Sequence, residues 1–139
     1  MTETQQQPHW VPGPEHETAV STWATAEVLP VITSALKEKA NELAREWEVD
    51  PYLVSAFLAK RLAESMHVLA DWRAGEARAH GSTMTEIGKA VGISQRSNVR
   101  RDMPSMGAFE AGRREANSTR RPVDVVSGEW TVTLEPDPF

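Results

Sequence analysis

The chain has 139 residues, a net charge of −5, 40% hydrophobic and 25% charged residues. That balance suits one soluble domain with tails and excludes a wholly disordered chain. There is no cysteine, so disulfide scaffolds, cysteine zinc fingers, iron–sulfur clusters and thiol nucleophiles are excluded. Residues 1–7 carry neither the basic nor the apolar segment of a secretory signal. The least charged stretch, residues 19–33, contains Glu27 and Pro30 and reads as too short to span a bilayer. The expectation is a cytoplasmic chain without membrane contact.

The charge is patterned. Residues 1–81 are net −5 and residues 122–139 net −4, whereas residues 82–121 hold eight basic and four acidic side chains, net +4. A basic block between two acidic ones is a local electrostatic footprint that the overall charge conceals. A solvated Arg-rich surface would give the same pattern.

Residues 1–16 are Gln- and Pro-rich and read as a disordered arm. Residues 17–29 read as a short helix. Pro30 either opens a new helix or kinks a continuous one. Ile32, Leu36, Ala40, Leu43 and Trp47 then recur at spacings of 4, 4, 3 and 4, the stripe of an amphipathic helix. Asp50-Pro51 supplies an N-cap and a proline for the first helical position, and a helix is expected over residues 51–79. Its apolar band of Val54, Phe57, Leu58, Leu62, Val68, Leu69 and Trp72 is wide enough to be buried on more than one side. Residues 17–80 are expected to form a helical hairpin that carries a dimerisation surface.

Gly81 ends that helix. Thr83 and Glu86 have the spacing of a capping box, which opens a short helix over residues 84–91. Gly92-Ile93-Ser94 is a turn. Ser94 caps a helix over residues 95–103, stopped by Pro104. One more helix is expected within residues 105–117. Residues 118–139 read as a linker, a β-hairpin turning on Ser127-Gly128 and an acidic tail. That turn sets Val125 opposite Trp130, Val123 opposite Val132 and Asp124 opposite Thr131. A lone hairpin is marginal in water, so it must dock on the helices, pair across a dimer or engage a partner. The fold class is therefore mainly α, a helical hairpin plus a tri-helical helix-turn-helix, with a small C-terminal β-hairpin.

A short helix, a Gly-containing turn and a second, basic helix are the parts of a DNA-binding helix-turn-helix, here within residues 76–117. Ile87, Val91 and Ile93 would form its small core. Arg78-Ala79-His80-Gly81-Ser82, Glu86-Ile87-Gly88 and Val91-Gly92-Ile93-Ser94 resemble the tri-helical helix-turn-helix of small actinobacterial or actinophage DNA-binding proteins. They are also similar to the sigma-factor region that reads the −35 promoter element. The resemblance covers residues 76–103 and implies that the helix from Gln95 onward enters the major groove. Met84 stands where many such proteins have tryptophan. Asn98 stands where they have a small or aliphatic residue, and Val99 follows it. Either the helix is rotated so that Val99 and Met103 are buried, or Asn98 is partly buried.

The residues expected at base edges are Gln95, Arg96 and either Asn98 or Arg100; Arg suits guanine and Gln or Asn suits adenine. Lys89, Ser94, Arg101, Arg113 and Arg114 are expected at phosphates. No cofactor, metal or enzymatic activity is expected. Glu64, His67 and Asp71 share one helix face, but that spacing is also an ordinary solvated stripe. The functional expectation is a sequence-specific transcriptional regulator, a repressor for example, that binds double-stranded DNA as a homodimer and associates with the nucleoid. The alternatives are a protein-interaction module of the antitoxin, adaptor or anti-sigma kind, reached through the C-terminal hairpin, and a phage DNA-packaging or architectural protein.

Overall fold

The computed structural model describes residues 10–93 and 96–138, with Arg96 and Ser97 described by their backbone alone. The fold is mainly α-helical, with one two-stranded antiparallel sheet among the described residues. The chain divides into two compact units, Pro12–Met66 and a unit containing His67–Phe139.

In the first unit, helix α1 (Pro14–Trp23) starts earlier than expected and takes in residues 14–16 of the expected arm. Gly13 is its N-cap, Pro14 sits in its first turn, and Glu15 and Glu17 follow. The Gly13 N–H donates to His16 Nδ1 at 2.8 Å. Proline's fixed φ and acidic side chains both favour a helix start at this place.

Pro30 lies in the first turn of α2 (Leu29–Trp47), and the residues before it, Ala24–Val28, widen into a π-turn. The Leu29 N–H reaches the Ala24 carbonyl. A proline has no N–H to donate and crowds the carbonyl four residues back; the wider turn relieves both problems and lets the helix pass. The helical run is therefore continuous from Pro14 to Trp47 and contains an eighteen-residue window of mean hydropathy 1.2, none of it buried. By length and composition that is enough to cross a membrane, which corrects the expectation that the stretch is too short.

Glu48, with φ of +57°, ends α2. Asp50 Oδ1 accepts the Tyr52 N–H at 3.4 Å as α3 (Pro51–Ala79) begins. Residues 51–66 of α3 belong to the first unit and pair with α2. Ala40, Ala44 and Val54 are buried there, with Leu43 and Leu58 packed against them. Trp47 and Phe57, expected on buried stripes, are 48% and 54% exposed. The hairpin covers one side of each helix, and these two residues lie outside it.

The second unit has residues 67–79 of α3, then α4 (Met84–Val91), α5 (Arg96–Asp102), α6 (Met106–Thr119) and strands β1 (Val123–Ser127) and β2 (Trp130–Leu134). One core gathers Ala74, Met84, Ile87, Val99, Met103 and Met106. A second holds Phe109, Val125 and Leu134, with Val68, Trp72 and Val132 against it. Trp72 and Phe109 stack with centroids 6.1 Å apart, and Arg73 lies over the Trp72 ring at 5.5 Å, contacts worth about 0.5–1.5 kcal/mol each. The hairpin thus docks on α6 and on Trp72. Gly112 makes room for it: a Cβ there would lie 2.6 Å from a Val125 methyl.

The hairpin register differs from expectation by two residues. Val125 pairs with Val132, Val123 with Leu134 and Asp124 with Thr133, so the turn is Gly128-Glu129. Gly128 has φ of +59° while Glu129 stays negative, the pattern of a turn with glycine at its first central position. A two-residue slip keeps every side chain on its face and brings Leu134, 1% exposed, into the core in place of Trp130.

Candidate nucleic-acid interface

The local sequence builds the helix-turn-helix from its ends inward. Thr83 Oγ1 accepts the Glu86 N–H at 3.1 Å, and the Thr83 N–H donates to Glu86 Oε1 at 2.8 Å, so the capping box is complete. At the other end of α4, Gly92 has φ of +81° and donates its N–H to the Gly88 carbonyl. The Ile93 N–H reaches that same carbonyl at 2.7 Å. A left-handed glycine closing a helix in this way fixes the direction in which the chain leaves. Gly88 lets the following segment come close: a Cβ there would lie 2.9 Å from the Ile93 carbonyl oxygen and 3.1 Å from a Val99 methyl.

These contacts set the rotation of α5. Val99 is 0% and Met103 6% exposed. Asn98 is half-buried, while Arg100 and Arg101 are exposed. Both branches left open by the sequence are therefore met: Val99 and Met103 face inward, and Asn98 is partly covered at the flank. Arg101 pairs with Asp102 at 3.2 Å. Met84 is buried in the core. Lys89 is exposed on α4. Val91, expected in the small core, is 48% exposed. Arg96 opens α5; Ser94 and Gln95 lie outside the described residues.

Arg114 and Arg113 part company. Arg114 is exposed on α6 and donates to Glu110 Oε2 at 3.0 Å and to the Arg78 carbonyl at 3.3 Å. Arg113, expected at a phosphate, is buried. Its Nε and Nη2 donate to the two carboxylate oxygens of Glu76 at 2.7 and 2.9 Å, and its Nη1 donates to the Glu135 carbonyl. A guanidinium with its donors turned inward has no fork left for a phosphate, so Arg113 is withdrawn from the interface. Burial pushes the Glu76 carboxyl up, but bonds from Arg113 and from Trp72 Nε1 outweigh it and hold it below its ordinary value.

Glu76, His80 and Asp137 bring one ligand atom each within 4.8 Å of one another, a spacing open to a metal. The Arg113 guanidinium sits on the same carboxylates, 3.3 Å from Asp137 Oδ1, and supplies the positive charge there. The set is an ion-pair network. His80 Nδ1 lies 2.7 Å from the Glu76 carbonyl and His80 Nε2 lies 2.8 Å from Asp137 Oδ2. Asn117 and Asp137 exchange two hydrogen bonds, at 2.8 and 3.0 Å. The C-terminal segment around Asp137 is thereby fastened to α6 and to the end of α3. Of the Glu64, His67 and Asp71 set, Asp71 is buried and accepts the Ser105 N–H at 2.9 Å, at the start of α6. Burial raises the Asp71 carboxyl, and the Ser105 bond partly offsets this.

The arrangement presents the outer face of a basic helix to solvent. Comparison with protein-family models, with curated proteins and with solved structures finds no match.

Proposed function

We propose that this chain is a sequence-specific DNA-binding transcriptional regulator that works as a homodimer. The observation that carries the reading is the rotation of α5: Val99 and Met103 are seated inward, and Arg100 and Arg101 stand outward within the one net-positive block of an acidic chain. On this reading α5 lies in the major groove. Arg100 and Asn98 reach base edges, together with Arg96 and the Gln95 that precedes it in sequence. Lys89, Ser94, Arg101 and Arg114 hold the phosphates, which fix register. One such unit reads only a few base pairs, so two copies on paired half-sites supply the affinity.

The test is selection of genomic DNA fragments by the purified protein at physiological salt, with an Arg100→Ala/Arg101→Ala control. Enrichment of a few fragments sharing a repeated half-site, lost in the control, is the expected result. Equal retention of all fragments would favour an architectural or packaging role. No retention would leave the protein-interaction reading.

A further inference from the structure

The first unit is thinly cored for its length. Two of its three buried apolar side chains are alanines, Ala40 and Ala44, and the third is Val54. Its larger side chains lie outside: Tyr52 is 84%, Leu53 64% and Phe57 54% exposed on α3, and Trp23 54% and Val31 68% exposed on α1 and α2. Helical units of this size need most of their apolar side chains inside to be stable. The missing cover has to come from elsewhere.

We propose that the α3 face over residues 52–66 is the interface between two copies of this chain, their α3 helices antiparallel about a two-fold axis at Ala59. Three observations select this occupant. On α3 itself Tyr52, Leu53, Phe57 and Met66 are 84%, 64%, 54% and 38% exposed and leave roughly 500 Å² of apolar side chain outside, the scale of a smaller, weaker interface. The face matches itself: Tyr52, Ala59 and Met66 are evenly spaced along one stripe, with Ala56 and Ala63 between, at the 3.5-residue mean period that two helices share over a long contact. A two-fold at Ala59 sets Tyr52 beside the partner's Met66, and the contact repeats in reverse, as a closed dimer requires. A lipid surface fits less well. Lys60 and Glu64 flank the stripe, and the apolar window of Pro14–Trp47 contains Glu27, whose charge is costly at mid-membrane. The pairing supports the two-copy part of the DNA-binding reading, yet it is tested without DNA, so either can fail alone.

The full chain has no cysteine, which makes crosslinking clean. Sedimentation and light scattering should give a dimer. Ala59→Cys should form disulfide-linked dimers under mild oxidation, while Glu38→Cys, exposed on α2, should not. Chains with Tyr52→Cys should link to chains with Met66→Cys and not to themselves. Ala59→Glu with Ala63→Glu should raise the dimer dissociation constant about tenfold or more, roughly 1.4 kcal/mol, with helical circular dichroism retained. A monomeric wild type overturns the proposal. So does a dimer that neither crosslinks at position 59 nor responds to the glutamates. A monomer that floats with phosphatidylcholine–phosphatidylglycerol vesicles overturns it in favour of lipid. Self-linking of Tyr52→Cys overturns the antiparallel arrangement.

Discussion

Arg113 and Glu76 form a two-pronged ion pair, at 2.7 and 2.9 Å, between residues 37 apart in sequence. Both are nearly sealed from water, each 7% exposed. Removing one member leaves the other as an uncompensated buried charge, which costs far more than the pair contributes. Arg113→Met should therefore destabilise the second unit by about 3 kcal/mol. Replacing both, Glu76→Leu with Arg113→Met, should recover much of that loss. Urea melts of the wild type and the two variants decide it, and equal stability of the single and double variants would count against a buried pair.

The same pair shows why part of the candidate site could not be read from sequence. Arg113 and Arg114 are adjacent and chemically identical, and what separates them is Glu76, a partner on another helix. No local pattern encodes that. The helix-turn-helix was legible because its signals are local: Thr83 and Glu86 close their own box, and Gly92 needs only its own φ. The hairpin falls between these cases. Two overlapping dipeptides, Ser127-Gly128 and Gly128-Glu129, can each make the turn. The choice falls to Leu134 and Val125 packing on Phe109, which is a non-local contact. Likewise the wide apolar band of α3 was legible, but not which side of it α2 would leave bare.

The contact between His80 and Asp137 makes stability depend on pH. The hydrogen bond to the Glu76 carbonyl, then the one to Asp137, raise the His80 imidazole above its ordinary value. A raised histidine contributes stability that is fully present below its unfolded pKa and lost as pH rises through its folded one. Bonds from Asn117 and then His80 lower the Asp137 carboxyl; its contribution is present above the ordinary aspartate range and lost as pH falls through the lowered value. The C-terminal segment should be held best at mildly acidic pH and loosen as pH rises above the ordinary histidine range. Amide exchange of residues 135–138 should speed up over that rise in the wild type, and His80→Gln should remove the change.

Gly88 is a sensitive point of the helix-turn-helix. Both atoms that a Cβ would meet, the Ile93 carbonyl oxygen and a Val99 methyl, belong to the chain that sets α5. The Ile93 oxygen is backbone and yields little. Gly88→Ala gains helix propensity of about 1 kcal/mol, but overpacking typically costs about 1–3 kcal/mol. The clash at 2.9 Å against backbone puts this site toward the upper end. A net loss of melting temperature is expected, accompanied, on the proposed function, by weaker DNA binding. A more stable Gly88→Ala protein would show that the turn is looser than these contacts imply.

On the proposed DNA-binding reading, the exposed arginines of α5 make two different kinds of contact. A side chain that neutralises a phosphate releases a counterion, so its loss lowers the slope of log affinity against log salt by about 1 and weakens all sequences alike. A side chain that reads a base costs about 1–3 kcal/mol on the preferred site and relaxes preference at that position. Arg101→Ala should behave in the first way and Arg100→Ala in the second. Fluorescence anisotropy from about 50 to 200 mM salt, on a selected and a scrambled duplex, distinguishes them. Arg114→Ala should follow Arg101, because its side chain is 58% exposed despite the Glu110 pair. If both α5 variants bind like the wild type at every salt concentration, α5 does not touch DNA, and the basic block serves another partner.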